Sequence, residues 1–182
     1  MRFKTIIRLQ GIIFLWGAIS LASCSSSKKS GGKGNVGGNT PVSLQKKYAG
    51  LLGVPASDIT NTRLYAFIDK WMDTRYQYGG QSSKGFDCSG FSQKLYDEVY
   101  SIKIPRTSQD QYKALEKFHR RKNLEEGDLL FFATAGGKRI SHVGVYLQNN
   151  KFINATTSKG VVISDLTSKY WDDCYIDGGA VR

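Results

Sequence analysis

Along this chain apolar side chains first recur at helical spacing and later shift to short β-type runs. Leu64, Phe67, Ile68 and Trp71 lie three and four apart, which predicts a helix over 61–73, and residues 43–52 read the same way. A further helix is predicted from Ser89 to about Tyr100, with Phe91, Leu95 and Val99 on one face. Cys88, three residues before Phe91, falls on that same face. Ser108 and Gln111 form an S-x-x-Q capping box for another helix, with Tyr112, Leu115 and Phe118 pointing inward. Between them the loop YQYGGQSSKGFD is rich in turn formers, and its Tyr78, like Trp71 before it, is expected to pack. After residue 126 GDLLFFA, HVGVYLQ, KFINAT and GVVISDL are β-rich runs broken by Gly and Asn. Helices first and a mostly antiparallel sheet after them is an α+β order.

The register of the central hairpin can be worked out from alternation alone. A two-residue loop at Asn149-Asn150 would set Val145 against Asn154, a polar residue among apolar ones. A three-residue loop, Gln148 to Asn150, pairs Leu147 with Lys151, Val145 with Ile153 and Val143 with Ala155. That register puts Asn154 opposite Gly144, with His142 as its diagonal neighbour on the same face. Hydrophobic patterning thus predicts that His142 and Asn154 meet.

The ends of the chain change the picture. Arg2, Lys4 and Arg8 precede an apolar run from about Gly11 to Ala22, too short for a comfortable membrane span. Leu21-Ala22-Ser23-Cys24 resembles the lipobox of bacterial lipoproteins. The resemblance implies a signal peptide over 1–23, lipidation of Cys24 and stable anchoring by more than one acyl chain. It also suggests the periplasmic face of the outer membrane. Residues 25–40 are dominated by Gly, Ser and Lys and read with Cys24 as a flexible tether, with a span of roughly 20–25 Å. The folded domain is expected over 41–182.

Formal charge is +11, and removal of 1–23 would leave +8. A basic balance suits anionic lipid headgroups or wall polymer, and equally an ordinary solvated surface. Nucleic acid would fit the charge, but an exported lipoprotein would not meet it. Of the cysteines, Cys88 and Cys174 remain after Cys24. They are expected to stay unpaired, since a disulfide would destroy a Cys88 nucleophile. His119 and His142 are the histidines, without C-x-x-C or H-x-x-x-H spacing, so neither a metal nor another cofactor is expected. His119, in HRRK, is expected in a solvated turn.

A cysteine at a helix N-terminus sits where unpaired N–H groups favour the thiolate. A nearby imidazole can shuttle its proton. Cys88 has the first feature, and His142, at the head of a strand, can supply the second. On chemistry alone a packed cysteine is the commoner case.

The motifs add a family. YQYGGQSSKGFDCSGF, PRTSQDQ, NLEEGDLLFF and SHVGVYLQNNKFINAT, in this order and spacing, resemble the segments of NlpC/p60 cell-wall cysteine peptidases from about Arg75 onward. The resemblance implies a papain-like fold and hydrolysis of peptidoglycan peptides. It makes Cys88 the nucleophile, His142 the general base and Asn154 the imidazole-orienting residue, where many members have His. It places Tyr76 near the oxyanion hole beside the Cys88 N–H. Asp87 and Ser89 are expected either to contact charged ends of the substrate or to cap the helix. A monomer is expected. An acyltransferase or amidase on the same fold, or a non-catalytic wall-binding lipoprotein, are the competing readings, and the bond cleaved stays open.

Overall fold

The computed structural model describes residues 41–181. The expected leader, the lipidated Cys24 and the tether lie outside the described residues. No described helix is long and apolar enough to cross a membrane.

Two helices open the domain, α1 (Pro41–Leu52) and α2 (Thr62–Trp71). Asn61 caps α2 by accepting from the Leu64 N–H at 3.1 Å, and α2 buries Leu64, Tyr65, Phe67 and Ile68. Trp71 packs edge-on against Phe86, as expected of it. Tyr78 does not pack: it is 90% exposed. It stands just before Gly79, whose φ of 72° turns the chain at the surface.

A short hairpin, β1 (Gln81–Ser82) and β2 (Gly85–Phe86), leads into the central helix α3 (Cys88–Leu95), which runs on as a wider π-helical turn over Tyr96–Tyr100. Phe91 on α3 meets Phe67 and Phe86 at ring distances of 5.8 and 5.6 Å. Burying such side chains is worth about 1.5–3 kcal/mol each and fixes α3 against the rest. At Gly90 a Cβ would lie 2.2 Å from the Gly80 carbonyl oxygen, so only glycine lets the first turn of α3 approach the preceding loop.

Helix α4 (Ser108–Lys113) is capped one residue earlier than expected, by Thr107, whose Oγ1 accepts from the Asp110 N–H at 3.2 Å. Thr107 is the residue left in extended conformation, the geometry a cap requires. Gln111 is not part of a capping box. It is buried, donates to the carbonyls of Ser89 and Pro105, and accepts from Ser92 Oγ, tying α4 to α3. The helix stops before Phe118, which lies on β3 (Lys117–Phe118) and is 53% exposed rather than inward.

The main sheet is antiparallel with order β3-β8-β4-β5-β6-β7. Its other strands are β4 (Leu129–Phe132), β5 (His142–Tyr146), β6 (Lys151–Thr156), β7 (Gly160–Asp165) and β8 (Tyr175–Ala180). All of β4 is buried, because both sheet faces are covered. Leu129 and Phe131 join the helical core. Leu130 and Phe132 join a smaller cluster with Phe152 and Leu166, against which Trp171 of α5 (Lys169–Cys174) packs.

Val145 pairs with Ile153, and the Leu147 N–H donates to the Lys151 carbonyl at 2.9 Å. This is the three-residue-loop register that the apolar pattern selects. Gly144 matters here for an added reason. A Cβ on it would lie 2.6 Å from the Phe152 ring, so its bareness is what lets that ring cross the strand.

Candidate active site

Cys88 stands at the first position of α3, after Asp87, the residue that caps it. Asp87 is held from several sides. Its carboxylate accepts from the Gly90 N–H at 2.6 Å, the Gly79 N–H at 3.0 Å and Ser89 Oγ at 3.2 Å. Arg106 grips both of its oxygens, at 3.0 and 2.6 Å, and also donates to Ser89 Oγ at 2.8 Å. Capping is therefore what Asp87 does in this geometry, and Ser89 is part of the same buried knot. Arg106 lies inside PRTSQDQ, but nothing in the spacing revealed its partner.

His142 is buried at the head of β5, where its ring stacks on Trp171 at 5.2 Å and tilts against Phe132 at 5.9 Å. Its Nε2 lies 3.0 Å from Asn154 Oδ1. The proton on that contact can be assigned. Asn154 Nδ2 donates to the Val162 carbonyl at 3.1 Å and to Ser164 Oγ at 2.9 Å. A carbonyl only accepts, so the amide nitrogen must face β7 and the amide oxygen must face His142. That oxygen also only accepts, so Nε2 carries the hydrogen. In a neutral ring Nδ1 then holds the free lone pair, the form a general base needs.

The thiol and the imidazole share one cleft of about 510 Å³, which Tyr76, Trp171 and the β6–β7 turn also line. The backbone N–H of Val143, next to His142, supports the Cys88 sulfur.

Burial pushes the Cys88 thiol above its ordinary pKa, and the charge of Asp87 adds to this. The N–H groups of Val143, Ser89 and Cys88 itself work the other way without prevailing. The expectation of a lowered thiol is thus reversed, because desolvation outweighs the helix terminus. Burial also pushes His142 down to about 4, against a smaller upward pull from Asn154. Burial thus disfavours charge on either group taken alone. Burial, then the nearby Cys88 and Asp87, hold the Tyr76 phenol above its usual value, so it remains a hydrogen-bond donor.

His119 is not in a solvated turn. It is buried, with Nδ1 2.6 Å from Asp128 Oδ2, which also accepts from the Glu125 N–H. The residues that follow it, Arg120, Arg121 and Lys122, are polar, but its own N–H donates to the Gly178 carbonyl of β8 at 2.9 Å, which ties it to the sheet. It takes no part in the cleft. Cys174, on the opposite sheet face from Cys88, is a free thiol, as is Cys88. Among the described residues no group of three or more His, Cys, Asp or Glu side chains is arranged to hold a metal ion.

A helix with a cysteine at its N-terminus packed on an antiparallel sheet, with an imidazole and a carboxamide on neighbouring strands, is a papain-like α+β arrangement. The chain belongs to the NlpC/P60 family, whose model matches residues 73–179. It is 33% identical over 170 residues to the murein DD-endopeptidase MepS/murein LD-carboxypeptidase of Escherichia coli K12, covering 92% of this chain and 89% of that one. It is 40% identical over 112 residues to a probable endopeptidase NlpC homolog of Haemophilus influenzae, covering 62% of this chain and 58% of the relative's length. Among solved structures, an NLP/P60-family protein of Staphylococcus aureus described as similar to a lipoprotein superposes with TM-score 0.60 at 35% identity. That match covers 67% of this chain and 41% of the other.

Proposed function

We propose that this chain is a cell-wall cysteine peptidase that hydrolyses peptide bonds in the stem peptides or cross-links of peptidoglycan. The observation that carries the reading is the fixed Asn154 amide, which leaves His142 with a free Nδ1 in the same cleft as the Cys88 thiol. The murein endopeptidase among its relatives supports the substrate class.

In this reading His142 Nδ1 takes the Cys88 proton as the sulfur bonds to the scissile carbonyl carbon. The carbonyl π pair moves onto oxygen, where the Cys88 N–H and the Tyr76 hydroxyl receive it. Burial disfavours either charge alone, but transfer creates an anion and a cation side by side, so each offsets the other's desolvation. The imidazolium, still bonded through Nε2–H to Asn154, returns the proton to the leaving amine as the C–N bond breaks. Water then adds to the thioester with His142 Nδ1 taking its proton, releasing the carboxylic acid and restoring the thiol. Asp87, Ser89 and Arg106 hold the turn that presents Cys88. The same reading places the domain at the cell envelope, anchored through a lipidated Cys24 at the periplasmic face of the outer membrane. The leader pattern supports the anchor.

The test is mass spectrometry of peptidoglycan digested by wild type and by Cys88→Ala. Wild type should yield defined new peptide ends and Cys88→Ala none, with the fold retained in thermal melting because the substitution removes only the sulfur atom. Equal digestion by both proteins would refute the mechanism.

A further inference from the structure

The charged residues lining the cleft are Asp165 and Lys159, and they are in different states. Asp165 is satisfied from within. Its Oδ2 accepts from Lys151 at 2.6 Å and its Oδ1 accepts from the N–H and hydroxyl of Thr167 at 2.8 and 2.6 Å. These bonds, the one from Lys151 first, hold its carboxyl down at about 2. Lys159 makes no ion pair among the described residues. The cleft wall therefore carries one uncompensated positive charge.

Its base is rigid. Lys159 sits in the turn joining β6 to β7, and its N–H donates to Thr156 Oγ1 at 3.2 Å, while that hydroxyl donates to the Gly160 carbonyl at 3.3 Å. The next residue, Val161, is clamped to the chain leading to Tyr76. Its N–H donates to the Thr74 carbonyl and its carbonyl accepts from the Asp73 N–H, both at 2.9 Å. Thr156 lies two residues beyond Asn154 on the same face of β6, so the turn continues the wall that holds His142. The side chain of Lys159 is exposed and lines the cleft from this anchored turn. The rest of the nearby rim, Thr157, Ser158, Ser164 and Ser168, is hydroxylic and suits amides without selecting charge.

We propose that Lys159 is a specificity-determining residue that reads a carboxylate on the substrate peptide. This rests on the peptidase reading of the cleft and names what the cleft prefers: a peptide bearing a free carboxylate near the scissile bond over the same peptide with that group amidated. Lysine contributes here as a mobile point charge, so the preference is modest and falls with salt.

The experiment uses a matched pair of muropeptides, free acid and amide, with kcat/KM measured at low and high salt for wild type, Lys159→Gln and Lys159→Glu. Binding of both peptides is measured in parallel on Cys88→Ala with and without Lys159→Gln. Wild type should favour the acid by about three- to fivefold at low salt, the scale of an exposed ion pair. The difference should lie in KM and shrink at high salt. Lys159→Gln should bring the pair to parity, and Lys159→Glu should invert the preference. A preference for the acid that survives in Lys159→Gln overturns the proposal, as does equal handling of both peptides by wild type. If wild type cuts neither peptide the peptidase reading fails. The binding arm still decides Lys159, since the acid must bind more tightly only while the lysine is present.

Discussion

Asn154→Ala probes the site at its most informative bond. Asn154 is fully buried, and its amide joins His142 on β5 to Val162 and Ser164 on β7. Truncation leaves the Nε2–H of His142 in a buried place without its acceptor, a loss of about 1–3 kcal/mol. The loss is larger in the transition state than at rest, because the ring is then an imidazolium and its bond to Oδ1 is charge-assisted. At about 1.4 kcal/mol per factor of ten, kcat should fall roughly ten- to a hundredfold. It should fall less than in Cys88→Ala, since the thiol and oxyanion donors remain. Asn154→His should keep substantial activity. One of its ring nitrogens can accept from Nε2–H while the other donates toward Val162 or Ser164. The assay is chromatographic turnover of a purified cross-linked muropeptide, with thermal melting run alongside to separate lost stability from lost rate. Wild-type kcat in Asn154→Ala would refute the tautomer argument and reduce Asn154 to a strand residue.

Stability should fall with acid. The folded His142 sits at about 4 against an ordinary 6.5, so between these values the unfolded chain binds the extra proton. The stabilisation is complete above about pH 6.5 and lost as pH drops toward 4, an effect of about 3 kcal/mol that His142→Gln should remove in acid-dependent urea unfolding. A pH-independent difference between the two proteins would contradict the burial account. Cys88 and Cys174 lie on opposite faces of the sheet, so the unreduced domain lacking residues 1–24 should show the mass of free thiols. A deficit of two hydrogens would count against it.

Much of the site could be read from the chain because its key relation is local. His142 and Asn154 belong to one hairpin, and Val143, Val145, Ile153 and Ala155 fix the register through period two alone. The helix carrying Cys88 follows from Phe91 and Leu95 in the same way. What escaped were pairings across distant segments. Asp87 and Arg106 are brought together only when α3 and α4 dock, and Trp171 reaches His142 only when α5 covers the sheet. His119 reads as surface because its neighbours are Arg and Lys, yet Asp128, across a turn, takes it inside. Tyr78 erred the other way: an aromatic residue suggests packing, while the turn beside it carries the ring into solvent. The thiol was misjudged because a helix terminus is visible in sequence and the depth of burial is not.

The Cys88 thiol and the His142 ring also lie against different hydrophobic clusters. Cys88 is part of the core between the helices and the sheet, whereas the ring of His142 rests on Phe132 and Trp171 in the cluster on the opposite face. Neither half is complete by itself: burial disfavours the thiolate, and the imidazole is oriented only when β7 and α5 are in place. A chain that has consolidated one layer but not the other carries no working centre. The cleft thus depends on both faces of the sheet being covered at once.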